Sequence, residues 1–119
     1  MSENTSDWNF FSNYAHVLVC LAVNPDSRLR DIAERIGITE RTAVRLVTQL
    51  EEASILARKK AGRRNSYVID LDRRLRHPIE SHRTVGDLLA TILSAPEFNN
   101  LLQRSNSTGR RPRSRKMVR

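Results

Sequence analysis

Two sets of cations are the residues of this chain whose types and spacing could do chemistry. Arg41 and Arg45 stand four residues apart, with Thr42, Val44 and Thr48 near them and Thr39 just before. That spacing is one helical turn, so the two guanidinium groups share a side. Further on, Arg58, Lys59, Lys60, Arg63 and Arg64 place five cations within seven residues, with Asn65 next. The chemistry such groups perform is recognition of polyanions. A helical Arg can donate two parallel hydrogen bonds to a pair of acceptors, and a run of Lys and Arg can neutralise successive phosphates.

Bond-making chemistry finds no comparable set. His16, His77 and His82 with the single Cys20 make no recognisable zinc or catalytic pattern. No paired carboxylates or nucleophile with a base occur at useful spacing, and the glycines form no phosphate-cradling loop. The expectation is therefore no enzyme, no metal and no cofactor. Cys20 lies inside the apolar stretch VLVCLAV, which favours a buried structural thiol. A lone cysteine also excludes an intramolecular disulfide and fits a reducing compartment.

The 119 residues carry 21 Lys and Arg against 13 Asp and Glu, and the excess is lopsided. Up to Ser54 there are five basic and eight acidic residues; from Ile55 onward there are sixteen and five. The positive field belongs to the second half, where it would attract a polyanion. The length suits one domain with tails. No apolar run approaches membrane-spanning length, and MSENTSD lacks the layout of a signal peptide, so a cytoplasmic protein without a membrane partner is expected.

Periodicity supplies the elements that must hold these residues. Ser12 is placed to cap a helix over about 13–23 with Tyr14, Val17, Leu18, Leu21 and Ala22 as its buried stripe. Ser27 is placed to cap a second helix over 28–36, burying Leu29, Ile32, Ala33 and Ile36. A third, over about 40–53, divides into Ala43, Leu46, Val47 and Leu50 on its core side and Arg41, Val44, Arg45 and Thr48 on another. For Val44, a core position and an exposed one remain equally open. Two strands over 55–60 and 66–71, turning through Ala61 and Gly62, make a basic hairpin. Residues 72–83 are irregular around Pro78. Thr84 with Asp87 then has capping-box spacing before an apolar helix carrying Val85, Leu88, Leu89, Ile92 and Leu93. No internal repeat is present.

The run IAERIGITERTAVRLVTQLEE, residues 32–52, has the layout of a helix-turn-helix. Ala33 is small enough for two helices to cross closely, Gly37 suits the left-handed turn, Ile38 plugs the corner and Thr39 caps the second helix. With AGRRNSY behind it, and FFSNYAHVLVCLA and RHPIESHRTVGDLL at its flanks, the chain resembles the small MarR-like and ArsR-like transcriptional regulators over about residues 8–93. In those relatives the helix often ends on Gly, where this chain has Ser54. A left-handed ending is less comfortable there.

The resemblance implies a mainly α fold with a small β-hairpin, a winged helix-turn-helix of three core helices plus wing, with an additional C-terminal helix. The expected divisions are a polar arm 1–11, the winged domain 12–71, a connector 72–83, a C-terminal helix 84–103 that is a candidate dimerisation element, and a basic disordered tail 104–119. The implied function is a sequence-specific, double-stranded-DNA-binding transcriptional regulator acting as a homodimer. Its recognition helix, about 40–53, would enter the major groove with Thr39, Arg41, Thr42, Val44, Arg45 and Thr48. Its wing, 58–65, would set Arg58, Lys59, Lys60, Arg63, Arg64 and Asn65 on backbone or minor groove. Asn65 has an equal alternative as a turn residue bonded to its own main chain. The alternative function is a winged-helix protein-interaction or scaffold module without sequence-specific DNA binding. No effector is indicated by the sequence.

Overall fold

A computed structural model describes residues 8–107. Along the chain run α1 (Asn13–Val23), α2 (Leu29–Ile36), α3 (Glu40–Glu52), β1 (Leu56–Ala61), β2 (Arg64–Ile69), α4 (Val85–Ile92) and α5 (Ala95–Ser107). The fold is the mostly helical, hairpin-bearing winged helix expected.

The first three helices pack because each carries one apolar stripe. Val17, Leu18, Leu21 and Ala22 of α1 meet Ile32 of α2 and Leu46, Val47 and Leu50 of α3 in one buried cluster. Ala33 and Ala43 are 3% and 0% exposed, so the α2–α3 crossing is built on small side chains. Between those helices Gly37 sits at φ +80, and the N–H groups of Gly37 and Ile38 both reach the Ala33 carbonyl at 2.9 Å. Only a residue without Cβ takes that backbone freely. Tyr14 departs from the expected stripe: it is exposed, and Ala15 is buried instead. Ser12 stands at the cap position of α1 as expected, but without a side-chain cap bond. The cap of α2 also differs. Arg28 holds that position, while the Ser27 hydroxyl donates to the Asn24 carbonyl.

The exit from α3 is left-handed despite the missing glycine. Ser54 has φ +64, its N–H bonds the Glu51 carbonyl at 3.0 Å, and the Ile55 N–H bonds the Leu50 carbonyl at 2.9 Å. These are the paired bonds of a Schellman ending, with Ser at the position that prefers Gly.

The hairpin pairs Leu56 with Ile69, Arg58 with Tyr67 and Lys60 with Asn65, closing at Ala61 and Arg64. The turn is therefore Gly62–Arg63, one residue later than the sequence indicated. Only Gly62 of the two has positive φ (+67), the II′ geometry that matches strand twist. β1 runs one residue later than expected, from Leu56, while β2 starts two residues earlier, at Arg64. The Tyr67 N–H also bonds the Pro25 carbonyl at 3.1 Å, tying the hairpin edge to the α1–α2 loop.

The single C-terminal helix expected over 84–103 is two helices. Thr84 and Asp87 form the anticipated capping box of α4, but Leu93 is extended and α5 starts afresh. Pro96 has no N–H for the Ile92 carbonyl, while Ser94 and Glu97 bond each other's backbone N–H groups at 3.3 and 3.0 Å, a second capping box. Residues 104–107, expected as the start of the tail, belong to α5. The rest of that tail, with Arg110, Arg111, Arg113, Arg115 and Lys116, lies outside the described residues, as do residues 1–7 of the arm. Val85, Leu89, Leu93 and Leu101 all enter the common core, and the Arg104 guanidinium donates to the Ala22 carbonyl at the end of α1.

Candidate nucleic-acid interface

The third helix separates its faces as its sequence directs. Ala43, Leu46, Val47 and Leu50 are buried, while Arg41, Val44, Arg45 and Thr48 are exposed. Val44 is 44% exposed, which decides its position in favour of the outer face. Arg41 and Arg45 make no ion pair with the described residues, so neither is spent on Glu40 or Glu52. Both guanidinium groups remain available to an incoming anion.

Thr39 and Thr42 are bound to each other at the start of this face. The Thr39 hydroxyl accepts from the Thr42 N–H at 3.0 Å and donates to the Thr42 hydroxyl at 2.9 Å. Thr39 thus completes the helix N-terminus, the capping work foreseen for it.

Alternation divides the cations of the hairpin between two sides. Leu56, Arg58 and Lys60 lie on one side with Ile69, Tyr67 and Asn65; Ala57 and Lys59 lie on the other with Val68, Ser66 and Arg64. Asn65 is a strand residue opposite Lys60, outside the turn. Arg63 stands in the turn itself. Lys59, Lys60, Arg63 and Arg64 are exposed and make no ion pair with the described residues.

Arg58 is different. Its Nε and Nη2 donate to the two carboxylate oxygens of Glu51 at 2.9 and 3.0 Å, a bidentate pair between hairpin and helix. This hydrogen bonding and the Glu51 charge raise the Arg58 pKa further. Burial raises the Tyr67 phenol, with the Arg58 charge opposing.

On the opposite flank of the same helix, the Tyr14 hydroxyl donates to Gln49 Oε1 at 2.5 Å. Neither Glu51 nor Gln49 is singled out by the sequence, because their partners come from distant elements. The one available signal for Gln49 was its place one turn beyond Arg45, polar on an exposed face.

Elsewhere the chemistry is sparse. Cys20 is half-buried, and burial raises its thiol pKa, with Arg35 opposing. His77 Nδ1 accepts from the Ile79 N–H at 3.1 Å, stiffening the connector turn. An open cleft of about 790 Å³ lies beside that connector, lined by Ala53, Ile55, Asp70, Arg73, Arg74 and Thr84 among others. Arg73 is already paired with Asp70 there.

Three helices closed by a basic two-stranded hairpin define a winged helix-turn-helix, with α3 in the recognition position and the hairpin as wing. Residues 12–62 match the model of the MarR family, and the chain is similar to that family over this span. The match covers the three helices, β1 and the start of the wing turn. MarR-family domains are those of DNA-binding transcription regulators. No curated protein and no solved structure matches the chain significantly. Among the described residues no helix is long and apolar enough to cross a membrane.

Proposed function

We propose that this protein is a sequence-specific, double-stranded-DNA-binding transcriptional regulator that reads the major groove with α3 and holds the backbone or minor groove with its wing. The observation that carries this reading is the outer face of α3, where Arg41 and Arg45 stand exposed and unpaired with the described residues beside a wing bearing Lys59, Lys60, Arg63 and Arg64. Arg45, mid-helix, is suited to a bidentate contact with guanine, and Val44 to a thymine methyl. The wing cations supply affinity with little sequence preference. Arg58 is a strut between wing and helix in the free protein, and Thr39 acts through the helix cap.

The proposed assembly is a homodimer in the cytoplasm, associated with the nucleoid when bound, with two recognition helices on two half-sites. The surface that best supports pairing is not the inner face of α4, whose Val85 and Leu89 are fully buried within the chain. It is the segment leading into α1. There Trp8 is 65% and Phe10 86% exposed, their rings edge to face with centroids 5.1 Å apart, and Phe11 follows. Exposed aromatic groups this close together favour burial against a partner.

A gel shift on genomic fragments across salt concentrations tests the reading. Specific complexes must survive competitor DNA at 0.15 M salt, whereas attraction by the basic tail alone is competed away. A protein that retards all fragments alike supports the scaffold alternative instead.

A further inference from the structure

We propose that Tyr14 fixes the hydrogen-bonding sense of Gln49, and that Gln49 is a specificity-determining residue which presents its Nε2 donor to a guanine. The inference rests on α3 being the element that enters the major groove. Gln49 lies four residues beyond Arg45, about 6 Å along the axis and about 40° round it. It therefore continues the stripe on which Arg41 and Arg45 stand, and it is exposed.

A free glutamine amide reads adenine with both ends: Oε1 accepts from N6 while Nε2 donates to N7. Here one of the oxygen's two lone pairs is engaged, which sets the direction in which the oxygen faces. The Tyr14 hydroxyl, carried by the first turn of α1, donates to Oε1 at 2.5 Å. Holding the oxygen toward α1 turns the two Nε2 hydrogens outward. Donors without an outward acceptor suit guanine, whose N7 and O6 both accept, and fit adenine poorly, because its N6 amino group would meet no acceptor. Tyr14 is thus a positioning residue acting through Gln49. The two flanks of α3 are braced at nearly the same height, by Tyr14 on Gln49 and by Arg58 on Glu51, which holds the C-terminal half of the helix at one angle.

The test is selection of binding sites from randomised duplex DNA by the full chain, by Tyr14→Phe, by Gln49→Ala and by the double variant, with thermal midpoint and salt slope measured on each. Both residues are exposed, so the core stays intact, and Tyr14→Phe removes one hydroxyl. The expected result is a guanine preference at one position that Tyr14→Phe relaxes toward adenine by roughly fivefold, the low end for one well-aimed contact. Gln49→Ala loses the same preference, the second substitution adds nothing to it, and midpoint and slope hold. A selective parent protein with an unchanged Tyr14→Phe profile overturns the pair alone, as does a Tyr14→Phe effect that persists without Gln49. A parent protein that selects no sequence overturns both this pair and the regulator reading.

Discussion

The guanidinium of Arg58 closes on the carboxylate of Glu51 through two hydrogen bonds, 2.9 and 3.0 Å long, and so joins the wing to α3. A cation expected on phosphate is thus paired with a carboxylate of its own chain. The pairing has an electrostatic consequence, since the free wing presents one positive charge fewer than its composition implies.

Glu51→Gln releases that charge. Non-specific DNA affinity should rise, and the log–log salt slope should steepen by up to about 0.9, one additional phosphate contact. The thermal midpoint should barely move, because an ion pair exposed to solvent adds little to stability. Anisotropy titrations against a salt series check this. An unchanged slope would place Arg58 beyond reach of the DNA.

Arg45→Ala and Arg64→Ala should separate reading from holding. Loss of Arg45 should erase preference at one base pair at a cost of about 1 to 3 kcal/mol, with competitor sequences bound as before. Loss of Arg64 should weaken all sequences alike and flatten the salt slope by about 0.9. Equal effects from both, in competition assays with single-base operator variants, would contradict the division between helix and wing.

Ser54→Gly should stabilise the fold. Ser54 holds φ +64 at the exit of α3, a left-handed backbone that costs an L-residue about 1 to 2 kcal/mol. Glycine removes that cost while losing some entropy of its own, leaving a net gain of about 0.5 to 1 kcal/mol. Urea unfolding measures it through the midpoint. A lowered midpoint would show that the serine side chain contributes more than its backbone costs.

Gly86→Ala should do the reverse. In the first turn of α4 the Gly86 N–H bonds the Leu71 carbonyl at 2.9 Å, and an added Cβ would sit 3.0 Å from that oxygen and 3.3 Å from Leu71 Cβ. The crowded atoms include backbone, which cannot swing aside as a long side chain would. A loss of about 1 to 3 kcal/mol is expected, from overpacking where α4 closes onto the winged domain. Unfolding together with hydrogen exchange at Val85 and Gly86 would show it. Unchanged protection would mean that α4 moves away without penalty.

The division of faces on α3 was legible because a helix of fixed period can bury only one stripe, and Ala43, Leu46, Val47 and Leu50 fill it. Capping at Thr39 and Thr84 was legible too, since both motifs are local and need no partner beyond three residues. The errors fell where choices are close in energy. The wing turn came one residue later because Gly62 serves either as second or first turn residue, and pairing Ala61 with Arg64 settles which. Tyr14 and Ala15 are both compatible with the α1 stripe, and the hydroxyl of Tyr14 finds Gln49 at the surface. Pro96 in a helical first turn looks like continuity until the Ser94–Glu97 cap separates the two helices.

By itself the sequence determined a winged helix, a MarR-like motif, the polar face of α3 and the basic character of the wing, because period, caps and composition are local properties of the chain. Only the tertiary structure decided which cations are paired within the chain and which polar side chains of α3 are held from other elements. Arg58 is taken by Glu51, and Gln49 is held by Tyr14 from 35 residues away. Such pairings depend on how separate elements dock, and no spacing along the chain encodes a distance between them.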